Sequence, residues 1–114
     1  MSNIKTERIS DALIEQISYI IATEVKNKDI NFVTITDVKV SNDLSYAKVY
    51  FTVLNESKID VTSKALKEAS GFIRHELRDR VDIRQIPELE FVYDESIKNA
   101  QKIEDIIDKL HEDK

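Results

Sequence analysis

Four of the chain's five arginines, Arg74, Arg78, Arg80 and Arg84, follow its single glycine, Gly71, within thirteen positions. Arg74 and Arg78 are spaced to share a helix face, with Lys64 and Lys67 one to three turns earlier. A guanidinium makes paired hydrogen bonds to phosphate oxygens that an ammonium cannot copy, so this spacing suits a polyanion. Glu68, Glu76, Asp79 and Asp82 are interleaved with the bases, and the same residues fit a salt-bridged surface. Both readings stay open. Tyr46, Lys48 and Tyr50, alternating along a strand-like segment, could stack bases or simply pack across strands.

Catalytic chemistry has little to work with. His75 and His111 lie on separate helical segments, and neither stands at metal or triad spacing. The carboxylate pairs Asp94 with Glu95 and Asp105 with Asp108 lack a partnering nucleophile and read as solvated charge. With one glycine there is no glycine-rich phosphate loop, and with no cysteine there is no disulfide, thiolate site or thiol nucleophile. No enzyme, cofactor or metal is expected. The absence of cysteine and of a long apolar run points to a cytoplasmic protein.

Gly71 itself lies inside an amphipathic stretch in which Val61, Ala65, Ala69, Phe72, Ile73 and Leu77 recur at three- and four-residue spacing on both sides of it, so the buried stripe is not interrupted. A glycine inside a helix costs ~1 kcal/mol relative to alanine. The backbone there is expected to bend, or to admit something closely, with Ala69 and Ser70 beside it. A tight helix crossing without any ligand fits equally. On that crossing, Gly71→Val should crowd the packing.

The positioning elements follow from periodicity. Residues 3–27 carry Ile9, Leu13, Ile17, Ile20, Ile21 and Val25 on one helical stripe. Phe32 to Val40 reads as a strand whose alternation slips phase between Val33/Ile35 and Val38/Val40, as either a β-bulge near Asp37 or a bend between two short strands would produce. Ser41, Asn42 and Asp43 form a turn into a second strand, Tyr46 to Leu54. A bent helix or helix pair spans about Val61 to Val81. Pro87 precedes a third strand with alternating Leu89, Phe91 and Tyr93, expected parallel to the second because a helical crossover joins them. Residues 96–110 look helical again. The fold class is α+β, with one sheet face covered by helices.

Net charge is −5 over 114 residues, but it is unevenly spread: residues 61–86 are net +2 and residues 87–114 net −5. Screening acts over about 8 Å at physiological salt, so a locally basic helix can meet a polyanion on an acidic protein.

Four segments, Val33-Thr-Ile-Thr-Asp-Val-Lys-Val-Ser41, Asp43-Leu-Ser-Tyr-Ala-Lys-Val-Tyr50, Ala69-Ser-Gly71 with Phe72, Ile73 and Arg74, and Ile86-Pro-Glu-Leu-Glu-Phe-Val-Tyr-Asp-Glu-Ser-Ile97, together resemble the bacterial ribosome-binding factor A family. The resemblance covers nearly the whole chain in order. It implies a type II KH-like domain of order α-β-β-α-(kink)-α-β over residues 1–97, with a C-terminal acidic helical or flexible extension over 98–114. It further implies a non-enzymatic factor that binds free 30S subunits and 16S rRNA, assists late 30S maturation and rRNA processing, and supports growth in the cold.

In such a domain the usual Gly-x-x-Gly loop is replaced by a kink at Ala69, Ser70 and Gly71. The RNA-facing set is then Lys64, Lys67, Ala69, Ser70, Gly71, Arg74, Arg78, Arg80 and Arg84, with Lys5 and Arg8 of the first helix in support. The arginines are expected to be exposed, so that replacing Arg74 and Arg78 together should leave folding unchanged. The alternative is a module that docks on ribosomal proteins through its acidic last helix. A monomer with no membrane contact is expected.

Overall fold

The computed structural model describes residues 4–30 and 32–96, with the side chains of Ile4 and Lys5 left out. The C-terminal extension expected over 98–114 lies outside the described residues. Helix α1, Ile4–Thr23, presents Ile9, Leu13, Ile17, Ile20 and Ile21 to the core, as its periodicity predicts. Burying each such side chain contributes about 1.5–3 kcal/mol. Beyond its last turn, Asn27 organises the exit: its side chain accepts from Asp29 N at 2.9 Å and its carbonyl accepts from Ile30 N at 3.0 Å.

Strands β1 (Val33–Val40) and β2 (Tyr46–Val53) pair antiparallel, and their register shifts between Ile35 and Asp37. The phase slip in the sequence is thus a bulge at Thr36. It lets Ile35 and Val38, three residues apart, both point into the core. The bulge is tied across β2, since Thr36 Oγ1 donates to Asp94 Oδ2 at 2.6 Å while Asp94 N donates to Phe51 O at 2.8 Å. Hydrogen bonds from Ser96 and then Thr36 hold the Asp94 carboxyl below its ordinary range.

The β1–β2 turn is built on Asp43. Its Oδ1 accepts from Ser41 Oγ at 2.7 Å, Ser45 Oγ at 2.7 Å and Ser45 N at 3.1 Å, and these bonds lower its pKa from 3.8 to about 2. Leu44, which follows, takes a positive φ of 62°.

After a single 3-10 turn at Glu56–Lys58, helix α2 runs unbroken from Ile59 to Arg80. The expected helix pair is therefore one continuous helix. Its buried side is Thr62, Ala65, Leu66, Ile73 and Leu77. Gly71 is exposed, and outside its own helix backbone and chain neighbours a Cβ there would have no atom within 4 Å. The tight helix crossing is absent, so the crowding expected of Gly71→Val has nothing to act on.

Strand β3, Glu88–Tyr93, lies parallel to β2, giving the sheet order β1-β2-β3. Pro87 is fully buried at its start. Arg74 fastens α2 to this approach: its Nε donates to Pro87 O and its Nη2 to Ile86 O, both at 3.1 Å.

Two expected outcomes follow. Gly71→Ala should raise stability by about 0.5–1 kcal/mol, because the methyl has free space and the unfolded chain loses freedom; thermal denaturation checks it. Because the folded pKa of Asp43 is depressed, its contribution is present above pH 3.8 and is lost as pH falls toward about 2. Acid unfolding of Asp43→Asn should accordingly show a flatter pH dependence than wild type across that window.

Candidate nucleic-acid interface

Helix geometry sorts the basic residues of α2. At about 100° per residue, Lys64, Lys67, Gly71 and Arg78 fall within a stripe ~60° wide on the outer side of the helix, spread over ~21 Å of its axis. All four are exposed. Among the described residues no carboxylate lies within ion-pair distance of Lys64, Lys67 or Arg78. Glu68, Glu76 and Asp79 rotate toward the α1 side instead. Glu68 borders the stripe as the i+4 neighbour of Lys64, and exposed Asp60 lies on the same line one turn before Lys64, so the separation of charge is complete only from Lys67 to Arg78.

The other arginines divide. Arg74 is half-buried and spends its donors on the carbonyls of Ile86 and Pro87, which corrects the expectation that it is exposed. Arg80 is also half-buried. Its Nη2 lies 3.6 Å from Glu24 and 3.9 Å from Glu76, and its guanidinium sits 4.8 Å from the Tyr19 ring centroid. It joins α2 to α1, so the salt-bridged reading holds for Arg80 and not for the stripe. Arg84 is exposed in the segment between α2 and β3.

Ser70 is half-buried beside the stripe and its Oγ donates back to Lys67 O at 2.8 Å, whereas Ala69, also half-buried, turns to the opposite side of α2 and packs against the core. Arg8 is exposed on α1, on the side of that helix turned away from Ile17. Lys5 occupies an α1 position whose side chain lies outside the described residues.

The sheet face opposite the helices is electrostatically mixed. Lys39 pairs with Lys48 and Lys48 with Glu90, while Asp37 pairs with Tyr50 and Tyr46 with Glu88. Lys39 Nζ lies 5.6 Å from the Tyr50 ring centroid. A groove of about 570 Å³ there is bordered by Asp37, Asp94 and Glu95 as well as Lys39. Carboxylates at this density oppose a phosphate backbone, which leaves Tyr46, Lys48 and Tyr50 poorly placed to track one.

One feature escaped the sequence reading. Phe32 is not the first residue of β1: it precedes the strand with φ of +58°, and 71% of its surface is exposed. Leu54, just past β2, is 81% exposed. Alternation extends naturally from Val33 back to Phe32, and only the register, which begins at Val33 opposite Val53, shows where pairing stops.

Among the described residues no helix is long and apolar enough to cross a membrane, and no cluster of three or more His, Asp or Glu could hold a metal ion. The family model for ribosome-binding factor A matches residues 5–107. The ribosome-binding factor A of Staphylococcus epidermidis is 50% identical over 112 residues, covering 97% of each chain. The crystal structure of ribosome-binding factor A from Thermus thermophilus superposes with a TM-score of 0.71 at 24% identity, over 77% of this chain and 94% of that one. A homology model of the Thermus thermophilus factor, fitted into a cryo-EM map of a 30S complex with it, gives 0.63 at 25% identity, over 74% and 89%. With the model match spanning nearly all of the sequence and half of the residues shared with the staphylococcal relative, this chain belongs to the ribosome-binding factor A family.

Proposed function

We propose that this protein is a non-enzymatic assembly factor that binds the free 30S subunit by laying the outer stripe of α2 against 16S rRNA phosphates. The observation that carries the reading is the row of Lys64, Lys67 and Arg78 around exposed Gly71, none of them within ion-pair distance of a carboxylate among the described residues, on a family member whose Thermus relative was fitted into a 30S complex. Three side chains with no internal partner can neutralise phosphate without first breaking an ion pair. Gly71, carrying no side chain between them, lets a backbone come close to the helix.

The domain acts as a type II KH-like unit over residues 1–97, with 98–114 as an acidic extension. A KH domain of the ordinary kind clamps single-stranded nucleotides with a Gly-x-x-Gly loop. An unbroken α2 offers no such loop, and its contact with folded rRNA is by phosphate and shape. Assistance to late 30S maturation and rRNA processing, extending to low temperature, is the role that such a contact serves, in the cytoplasm and as a monomer.

The interface is three or four phosphates wide, from Lys64, Lys67, Arg78 and Arg84. The slope of log affinity for 30S subunits against log salt should therefore be about −2 to −4, at 0.7 to 0.9 per phosphate. Replacing Lys64, Lys67 and Arg78 with alanine should flatten it by about two units or more and leave thermal unfolding nearly unchanged. Arg74→Ala should do the reverse, lowering stability on the order of 1–3 kcal/mol through its two lost hydrogen bonds while keeping the slope. A triple variant with wild-type slope and affinity would remove the stripe from the interface.

A further inference from the structure

Phe32 and Leu54 sit side by side where the β1–β2 ladder ends, each one residue beyond the last pair, Val33 with Val53. They line a cavity of about 300 Å³ together with Lys28, Asp29, Lys58 and Thr62, at the small end of the ~300–1,000 Å³ typical of ligand sites. Two costs converge at Phe32. A bulky residue at positive φ is strained by roughly 1–3 kcal/mol, and its ring remains 71% in water. Neither stabilises the fold.

The turn before the cavity is hydrogen-bonded on two sides. Thr62, buried on α2, donates to Asp29 O at 3.1 Å, and Asn27 closes the turn onto Asp29 and Ile30. Lys28 is held between these two fixed points. Lys58 immediately precedes α2 and stands ~9 Å along the axis from Lys64, where the basic stripe begins. An exposed aromatic plane in a cavity also lined by Lys28 of the turn after α1 and Lys58 of the 3-10 turn complements a ligand with both a flat π-face and an anionic tether. Asp29, in the same cavity, can accept from an exocyclic amine.

We propose that this cavity is a binding site for one unpaired RNA nucleotide, whose base stacks on Phe32 against Leu54 and whose phosphates meet Lys28 and Lys58. It rests on the rRNA reading of α2 and adds to it: the stripe holds the backbone of folded RNA, and the cavity captures a base that is splayed out of it. The site selects single strand, because a base paired inside a helix cannot present its face to the ring.

The chain contains no tryptophan, so Phe32→Trp installs a unique emitter at the site. Its fluorescence should be quenched saturably by a short oligocytidylate and by 30S subunits, and not by an RNA duplex of equal length. Phe32→Ala should weaken oligocytidylate binding about five- to 150-fold, with the melting temperature unchanged or higher, and Lys28→Ala with Lys58→Ala should weaken it and reduce its salt dependence. If Phe32→Trp stays bright with oligocytidylate and with 30S subunits while the α2 triple variant loses subunit binding, the cavity proposal falls and the stripe stands. If the triple variant binds normally and the tryptophan is quenched, the cavity stands without the stripe. Emission that responds to a ribosomal protein but not to oligocytidylate overturns the proposal in favour of a protein contact.

Discussion

A parallel neighbour for β2 can be reached only by carrying the chain back along the whole strand, and α2 is that return. Eight strand residues cover ~26 Å and twenty-two helical residues ~33 Å, so the helix overspans the sheet and must be fastened at both ends. Thr62 fastens it to the α1–β1 loop and Arg74 to the approach to β3. One side of a helix so held is committed to Ile73, Leu77 and Leu66. The opposite side has no packing partner among the described residues, and it is there that Lys64, Lys67 and Arg78 stand.

That constraint explains why equal-looking arginines do different work. Position on the helix decides it: Arg74 faces the β3 side and finds two carbonyls, Arg80 faces α1 and finds Glu24 and Tyr19, and Arg78 faces outward and finds neither. Arg78 in the last turn also complements the helix dipole. The folding role and the surface role are compatible in one residue because the charge stays solvated.

What could be read before the fold was known depended on how local the cause was. The bulge at Thr36 was legible because it leaves a phase slip among Val33, Ile35, Val38 and Val40, and the parallel third strand because a helical stretch separates Tyr46–Leu54 from Leu89–Tyr93. The roles of Arg74 and Arg80 were not, since their partners Ile86, Pro87 and Glu24 are brought near only by tertiary packing. Phe32 was misplaced for a related reason. β-propensity and alternation both extend the strand to it, and only the end of cross-strand pairing at Val33 removes it. At Gly71 the crowding expected of a tight helix crossing is absent, because the space beside it is open and that space is set by tertiary packing the local sequence does not carry.

The Thr36 bulge has one more effect, on how the sheet meets other sheets. With the order β1-β2-β3, β1 is an edge strand, and an edge with regular spacing is a template on which a stray strand can grow. The bulge breaks the spacing of β1 near its middle. The opposite edge, β3, is six residues long and alternates Glu88 and Glu90 with its apolar side chains, so a second copy laid against it in register would bring like charges together. A three-stranded sheet whose two borders are unpaired among the described residues is in this way kept from extending itself, and its backbone stays available to the fold alone.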